Sequence, residues 1–459
     1  MRENRSPWLH QLDRDRKIHT LNEDASTDVA IVGAGIAGIA TAFFTLKYTD
    51  KQVVLLERFK LAHGATGHNA GQVVSYFERG FANLCKEFGL EMAAQGQRAV
   101  EDAWRLLDEA YTDGALDIPL SRFIGHAGMI SREQVLAELA NNAKRKLAKL
   151  NIEDIRIAED VPFLEELESY EDSLYRIVPR KEISALLETN RSDFVATTSY
   201  QKGVLNSALF CQEVLRYLER TYPNRFCLYE HAPVKKIILR DHHALIDAEK
   251  HTLEAARVVL CTNGFESVTI INETGLDINT KYHHLVEGFV GYMSGYLEEP
   301  ILPPTAISYL ANPSADLVEI PYFYLTRRPY EYEKGQQHNL ISVGGPETFL
   351  PETSPYSHET VYPEEMGEKI DAFLKETYTG HGGKSVEYIF TWHGLMGYTR
   401  NGVRLIGPEP KNNILLYNLG CNGIGILPSL HGGRVIARHI NGEQVPPSIF
   451  DIPTDIDLK

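Results

Sequence analysis

Long apolar runs are missing from this sequence. No stretch of about 18 apolar residues occurs in its 459 positions, and the opening MRENRSPWLHQLDRDRK has no apolar signal-peptide core, so no transmembrane segment is expected. Cysteine is scarce. There are five (Cys85, Cys211, Cys227, Cys261, Cys421), an odd number, scattered, with no CxxC pair. That argues against a disulfide scaffold and a structural zinc site, and it predicts a cytoplasmic location. HExxH and EF-hand patterns are absent, and the 17 histidines fall at no clear metal-ligand spacing, so no metal is expected. Positive charge is in deficit: 46 Lys and Arg stand against 62 Asp and Glu, a net charge of −16. This balance argues against nucleic-acid partners and against docking on an anionic membrane.

What is present begins with TDVAIVGAGIAGIATAFF, Thr27 to Phe44. Asp28–Val32 is a compact apolar run suited to a central parallel strand. Gly33 permits a sharp turn, Gly35 allows a pyrophosphate to approach the backbone, and Gly38 lets helix and strand pack closely. The helix that follows offers free N–H groups and a positive dipole end to phosphate. A second apolar strand, QVVLLE, ends in Glu57, 19 residues after Gly38, at the spacing that reaches a ribose hydroxyl. A carboxylate there disfavours a 2′-phosphate. NADP is thus the poorest fit, and the turn alone leaves NAD and FAD open.

Further along, Phe81–Asp113 reads as one helix, and 133–150, 208–222 and 364–380 as three more. Ala232–Leu239 and Arg257–Cys261 read as strands. The acidic run Glu159–Asp172 reads as solvated surface, and residues 1–26 as a polar lead-in. Residues 281–350 are rich in tyrosine and β-branched residues between proline turns (Pro300, Pro303, Pro304, Pro313, Pro321), the composition of an antiparallel sheet. From about Ile389 the chain returns to strand, glycine turn and helix. The nucleotide site is therefore expected to be split between the two ends of the chain, with a substrate region inserted.

Three stretches narrow the cofactor. HGATGHNAGQVVSY (His63–Tyr76) is small-residue-rich and follows Glu57 directly. VVLCTNGF (Val258–Phe265) is the second. The third, Thr391–Ile440, contains the strand Leu415–Leu419, the turn CNGIGILPS and a helix. In this ordered set the sequence resembles the FAD-dependent D-amino-acid oxidase superfamily, which includes glycine oxidase, sarcosine oxidase and γ-glutamylputrescine oxidoreductase. Gly64, Ala65, Thr66, Gly67, Asn69 and Gly71 match one family motif. Tyr200–Asn206 resembles the lead into the second nucleotide segment. Trp392, Gly394, Thr399, Asn401, Gly402, Ile406 and Gly407 match the W-x-G…T-x-[DN]-G…I-G motif.

The resemblance implies an α/β fold: a Rossmann-like FAD-binding domain of glutathione-reductase type (1–110, 200–280 and 390–459) with an inserted α+β substrate domain (111–199 and 281–389) on a mostly antiparallel sheet. It implies FAD contacts at Gly33, Gly35, Ile36, Ala37, Gly38, Glu57 and Arg58, and across Gly64, Ala65, Thr66, Gly67, His68, Asn69, Gly71 and Gln72. Further contacts are implied at Val234, Thr262, Asn263, Gly264, Gly394 and Arg404, and at Asn422, Gly423, Ile424, Gly425 and Ile426. No cysteine lies near the attachment position that sarcosine oxidases use, so FAD is expected to be non-covalent. The implied activity is oxidation of the C–N bond of an amine or amino acid, with oxygen or a quinone as acceptor. The Asn422–Ile426 turn would stabilise charge at the flavin N1 and C2-oxygen edge. No dedicated base is needed if the amine arrives neutral. His68, Trp392, His393, Met396 and Tyr324 are the candidate substrate-facing residues, with Arg327 as a candidate anion clamp. Met396 stands where some relatives carry a carboxylate-binding arginine. A 2-hydroxy-acid dehydrogenase and a non-catalytic flavin-binding subunit are the alternatives.

Overall fold

The computed structural model describes residues 3–265, 267–310, 322–351, 356–380 and 386–455. Pro313 and Pro321, expected in turns, lie outside them. Among the described residues no helix is long and apolar enough to cross a membrane.

The chain builds an α/β fold on two mixed sheets. The parallel heart of the first runs Phe226–Tyr229, Val53–Leu56, Ala25–Val32, Thr252–Leu260 and Asn412–Leu419. Val29–Val32 is buried between neighbours on both sides, which explains why it is apolar at every position. Thr252–Leu260 forks. Its first half pairs antiparallel with Ala244–Asp247 and its second half parallel with Asn412–Leu419. Segments from both ends of the chain thus flank one glycine turn.

Among the described residues the second sheet has ten strands, including Gln72–Val74, Leu120–Met129, Ala196–Leu205, Glu287–Glu298, Phe323–Glu331, Gln337–Leu350 and Phe390–Tyr398. Its pairings are antiparallel except at Thr305–Tyr309 with Leu120–Met129 and at Asp154–Ala158 with Arg176–Val178. Strand alternation gives it two faces. On the far face Ile307, Leu325, Ile341 and Val343 pack with Phe373 and Leu374 of the helix Glu364–Thr377.

Two local expectations need correction. The helix over Phe81–Asp113 is broken into Phe81–Phe88 and Leu90–Gly114 at Gly89, whose φ of +78° is left-handed territory. The N-terminal stretch is not a loose lead-in. Trp8 is fully buried, Arg5 bridges to Thr391, and the Tyr330 hydroxyl donates to Pro7 O at 3.0 Å.

Candidate active site

The opening turn is shaped by close contacts that only glycine permits. Gly33 has φ +102°, and a Cβ there would lie 2.7 Å from Cys261 O. The helix Ile36–Tyr48 starts at Gly35 with no cap from that residue. Instead Ile36 N donates to Thr66 Oγ1 at 2.9 Å, so Thr66 stands at the helix N-terminus. Glu57 lies beneath the turn. Its Oε2 accepts from Ala34 N (2.8 Å) and its Oε1 from Phe59 N (2.9 Å). Gly33, Glu57, Arg58, Val234 and Thr262, all singled out from sequence, line one cleft together with Val268.

Residues 64–71 are stitched into a fixed loop. Asn69 Nδ2 donates to Thr66 O (2.9 Å) and to Ser207 Oγ (2.8 Å), and its Oδ1 accepts from Gly71 N (2.7 Å). The Asn69 carbonyl accepts from two indoles, Trp8 at 2.5 Å and Trp392 at 3.2 Å, whose rings meet edge-on. Gly71 needs its glycine because the Trp8 ring covers it. Gly394 comes equally close to His68: a Cβ would lie 2.5 Å from His68 O. The His68 ring stacks on His358 at 4.5 Å, and the Tyr356 hydroxyl lies 3.2 Å from His358 Nδ1 and 3.0 Å from His393 Nδ1. Burial lowers His68 to about 4 and His358 to about 3, so these imidazoles are neutral at physiological pH.

The C-terminal turn is held from three sides. Cys421 N donates to Asn263 Oδ1 (2.9 Å), and Thr399 N donates to Asn422 Oδ1 (2.8 Å). Arg404 reaches Asn418 O (2.8 Å) and Gly420 O (3.3 Å). Arg404 thus supports the turn from behind. The helix Ile426–Ile440 begins at Gly425 without a side-chain cap, and Gly433 packs on the backbone of Ala40 and Thr41. The two helices therefore lie against each other.

Over this turn stands the near face of the second sheet. Tyr322 donates to both oxygens of Glu78 (3.0 and 3.1 Å), and its ring lies 5.7 Å from Tyr324. A Cβ on Gly423 would come 3.0 Å from Tyr398 Oη and 3.3 Å from Glu78 Cγ. Behind them Lys202, fully buried, donates to Gln72 Oε1 (3.4 Å), and Gln72 Nε2 donates to Thr326 Oγ1 (2.8 Å). Met396 lies beside Gly291 at the same face. Sequence reasoning missed Glu78, Tyr398, Lys202, Tyr356, His358 and Trp8.

Arg327 does not join this group, and its expected role as a clamp is corrected. Three residues along a strand from Tyr324, it points to the far face. Its guanidinium is taken by Glu188 (2.7 and 2.9 Å), Tyr378 (3.0 Å) and Pro303 O (2.9 Å). His393 is likewise directed away from Trp392 and Gly394. Its Nε2 donates to Thr360 O at 2.8 Å.

Folded in this way, the chain can hold a dinucleotide at the edge of one sheet beneath the face of another, as dinucleotide-dependent oxidoreductases do. It belongs to the FAD-dependent oxidoreductase (DAO) family, whose model matches residues 28–439. Over 455 residues it is 20% identical to the probable oxidoreductase OrdL of Haemophilus influenzae, covering 97% of this chain and 90% of that protein. A stretch of 74 residues, 16% of this chain, is 36% identical to 17% of the γ-glutamylputrescine oxidoreductase of Escherichia coli. Glycine oxidase from Geobacillus kaustophilus shares the fold, with a TM-score of 0.65 at 16% identity over 94% of this chain and 100% of that one. L-amino acid deaminase from Proteus vulgaris does so with a TM-score of 0.65 at 12% identity, over 95% and 98%.

The protein is thus an FAD-dependent oxidoreductase. Its own residues fit the cofactor. Two helix N-termini begin at glycines that supply no side-chain cap, one above Glu57 and one beneath the tyrosine face, which suits a ligand with a pyrophosphate at one end and a carbonyl-bearing ring at the other.

Proposed function

We propose that this enzyme oxidises the C–N bond of an amine or amino acid, giving an imine that water then hydrolyses. Bound FAD supplies the hydride acceptor, and the protein's contribution is position and electrostatics. Glu57 accepts the ribose hydroxyls, and Gly33, Gly35 and Gly38 make room for the pyrophosphate. The N–H groups of Gly423, Gly425 and Ile426 would serve the ring edge where negative charge collects, in a role where one preorganised donor is worth roughly 3–4 kcal/mol in related oxyanion sites. FAD is held without a covalent bond. Oxygen or a quinone takes the electrons, and the location is cytoplasmic. The FAD-binding part, of glutathione-reductase type, comprises 1–110, 200–280 and 390–459, with 111–199 and 281–389 forming the substrate part on its mostly antiparallel sheet.

The observation that supports this reading best is the tyrosine-walled hollow around Tyr322, Tyr324 and Tyr398, directly against the turn at Gly423. Its walls are aromatic with a few polar groups among them, as a small-molecule site should be. The similarity to γ-glutamylputrescine oxidoreductase and the shared fold with glycine oxidase and L-amino acid deaminase favour nitrogenous substrates. With Met396 on the near face and Arg327 engaged elsewhere, neither supplies a clamp for a simple α-carboxylate.

The test is anaerobic mixing of the purified enzyme with panels of amines, amino acids and 2-hydroxy acids. The protein should be yellow, with bands at ~370 and ~450 nm, and should release its flavin on denaturation. Amines should bleach it and glycine should do so poorly. Bleaching by hydroxy acids alone would point to a hydroxy-acid dehydrogenase, and no bleaching at all to a binding subunit.

A further inference from the structure

Glu78 is the feature of the hollow that the reaction itself does not use. It sits between the C-terminal turn and the near face of the second sheet, with its Cγ 3.3 Å and its Oε1 3.5 Å from the position of a Cβ on Gly423. Among the described residues it makes no ion pair within 4 Å. Its one hydrogen-bond partner is the Tyr322 hydroxyl, a single proton shared by two oxygens. Burial pushes its carboxyl up, against the opposing pull of Tyr322 and of the positive charge on Lys202. The Lys202 ammonium is fully buried and donates to Gln72 instead, 5.7 Å from the Tyr76 ring. Glu347, at the exposed rim, adds a second carboxyl close enough to feel the charge of Glu78. Two carboxyls, both pushed up by burial, and one ammonium therefore share the hollow, and a bound cation would hold Glu78 in its charged form.

Around Glu78 the walls are phenol rings. Tyr322 and Tyr324 lie 5.7 Å apart, Tyr398 reaches Gly423, and Tyr76 pairs with Tyr200 at 4.9 Å behind. All five are only partly buried, so they line space rather than fill a core. Ring faces with a carboxylate among them are the surroundings that attract an alkylammonium ion. The reacting nitrogen is the wrong group for this place. A carboxylate beside it would keep it protonated, without the lone pair that must form the imine as hydride leaves carbon. The charge suits a second nitrogen.

We propose that Glu78, Tyr322, Tyr324 and Tyr398 form a subsite for an alkylammonium group, and that the substrate class is an amine carrying a second, cationic nitrogen, as diamines and polyamines do. This rests on the reading of the hollow as the substrate site. The second nitrogen stays protonated against Glu78 while the first, neutral, presents its carbon for oxidation.

Two measurements on the holoenzyme separate this inference from the reading beneath it. The first is anaerobic flavin reduction by 1,5-diaminopentane, n-pentylamine and 5-aminopentanoate. The diamine should show a half-saturating concentration at least ~10-fold below that of n-pentylamine, with the amino acid poorest. Glu78→Gln should erase the preference, raising the diamine value at least ~10-fold relative to that of n-pentylamine. Tyr322→Phe, which keeps the ring and removes the donor, should fall between. The second measurement needs no turnover: tetramethylammonium, which cannot be oxidised here, should perturb the flavin absorbance saturably in the wild type and far more weakly in Glu78→Gln. Amine oxidation with no diamine preference, or tetramethylammonium binding unchanged in Glu78→Gln, would overturn the subsite while leaving amine oxidation standing. If no amine reduces the flavin yet tetramethylammonium binds through Glu78, the subsite stands and the proposed reaction falls.

Discussion

Glu57 and Gly35, proposed to hold the adenosine end of the cofactor, would do so through different physics. Glu57 already spends both oxygens on backbone N–H groups of Ala34 and Phe59, so its position is fixed before any ribose arrives. Glu57→Ala should weaken flavin retention on gel filtration. Gly35→Val should abolish it, because even a Cβ at Gly35 would lie 2.9 Å from Thr66 Oγ1 and its branches would enter the pyrophosphate space. Both residues were legible in the sequence because the turn and its acid are local, 25 residues or fewer from one another. Lys202 was not legible, since nothing near it in sequence marks its burial. Burial lowers its ammonium from 10.5 to about 8, with Glu78 opposing. Below pH 8 the lysine is charged in folded and unfolded chains alike, and the burial cost is complete. Between pH 8 and 10.5 the unfolded chain binds the extra proton, so stability rises with pH. Lys202→Met should therefore stabilise the fold on the order of 3 kcal/mol at pH 7, with the gain fading towards pH 10.5. Urea unfolding at pH 7, 9 and 10.5 checks the sign.

At the scale of elements, helices with clear caps were read well and strands near the middle of the chain poorly. Asn206 caps Ser207–Thr221 and Ser131 forms a capping box with Gln134 on Arg132–Leu147, both signals written in four consecutive residues. Leu120–Met129 and Ala196–Leu205 pair with each other across some 75 residues, and neither shows clean alternation. Arg327 illustrates the converse. Its three-residue offset from Tyr324 on one strand already put the two on opposite faces, and period-two counting would have caught this. The N-terminal segment reads as a polar lead-in because its few apolar residues, Trp8, Leu9 and Leu12 among them, stand amid charges. Trp8 is fully buried between Gly71, Trp392 and the Arg328 guanidinium, 4.2 Å above its ring. Trp8→Ala should cost about 3–5 kcal/mol, seen as a lower midpoint in thermal unfolding, and should loosen the 64–71 loop enough to lower flavin occupancy.

For the whole molecule, the broad plan was legible and the hollow proposed for substrate was not. A glycine turn is one stretch of chain, but Glu78, Lys202, Tyr322 and Tyr398 come from four separate stretches, and only the second sheet brings them together. The nucleotide site has the same long-range character in its own way. Its proposed walls come from residues 33–71 and from 397–426, and Asn4 reaches across to His358 O at 2.8 Å and His393 N at 3.1 Å. During synthesis the early half of that site leaves the ribosome with its partner strand hundreds of residues away, still unmade. A glycine turn without its facing helix has half its donors and no floor. If the site is built from both stretches as proposed, flavin capture should await residue 426, and chains truncated before it should purify colourless.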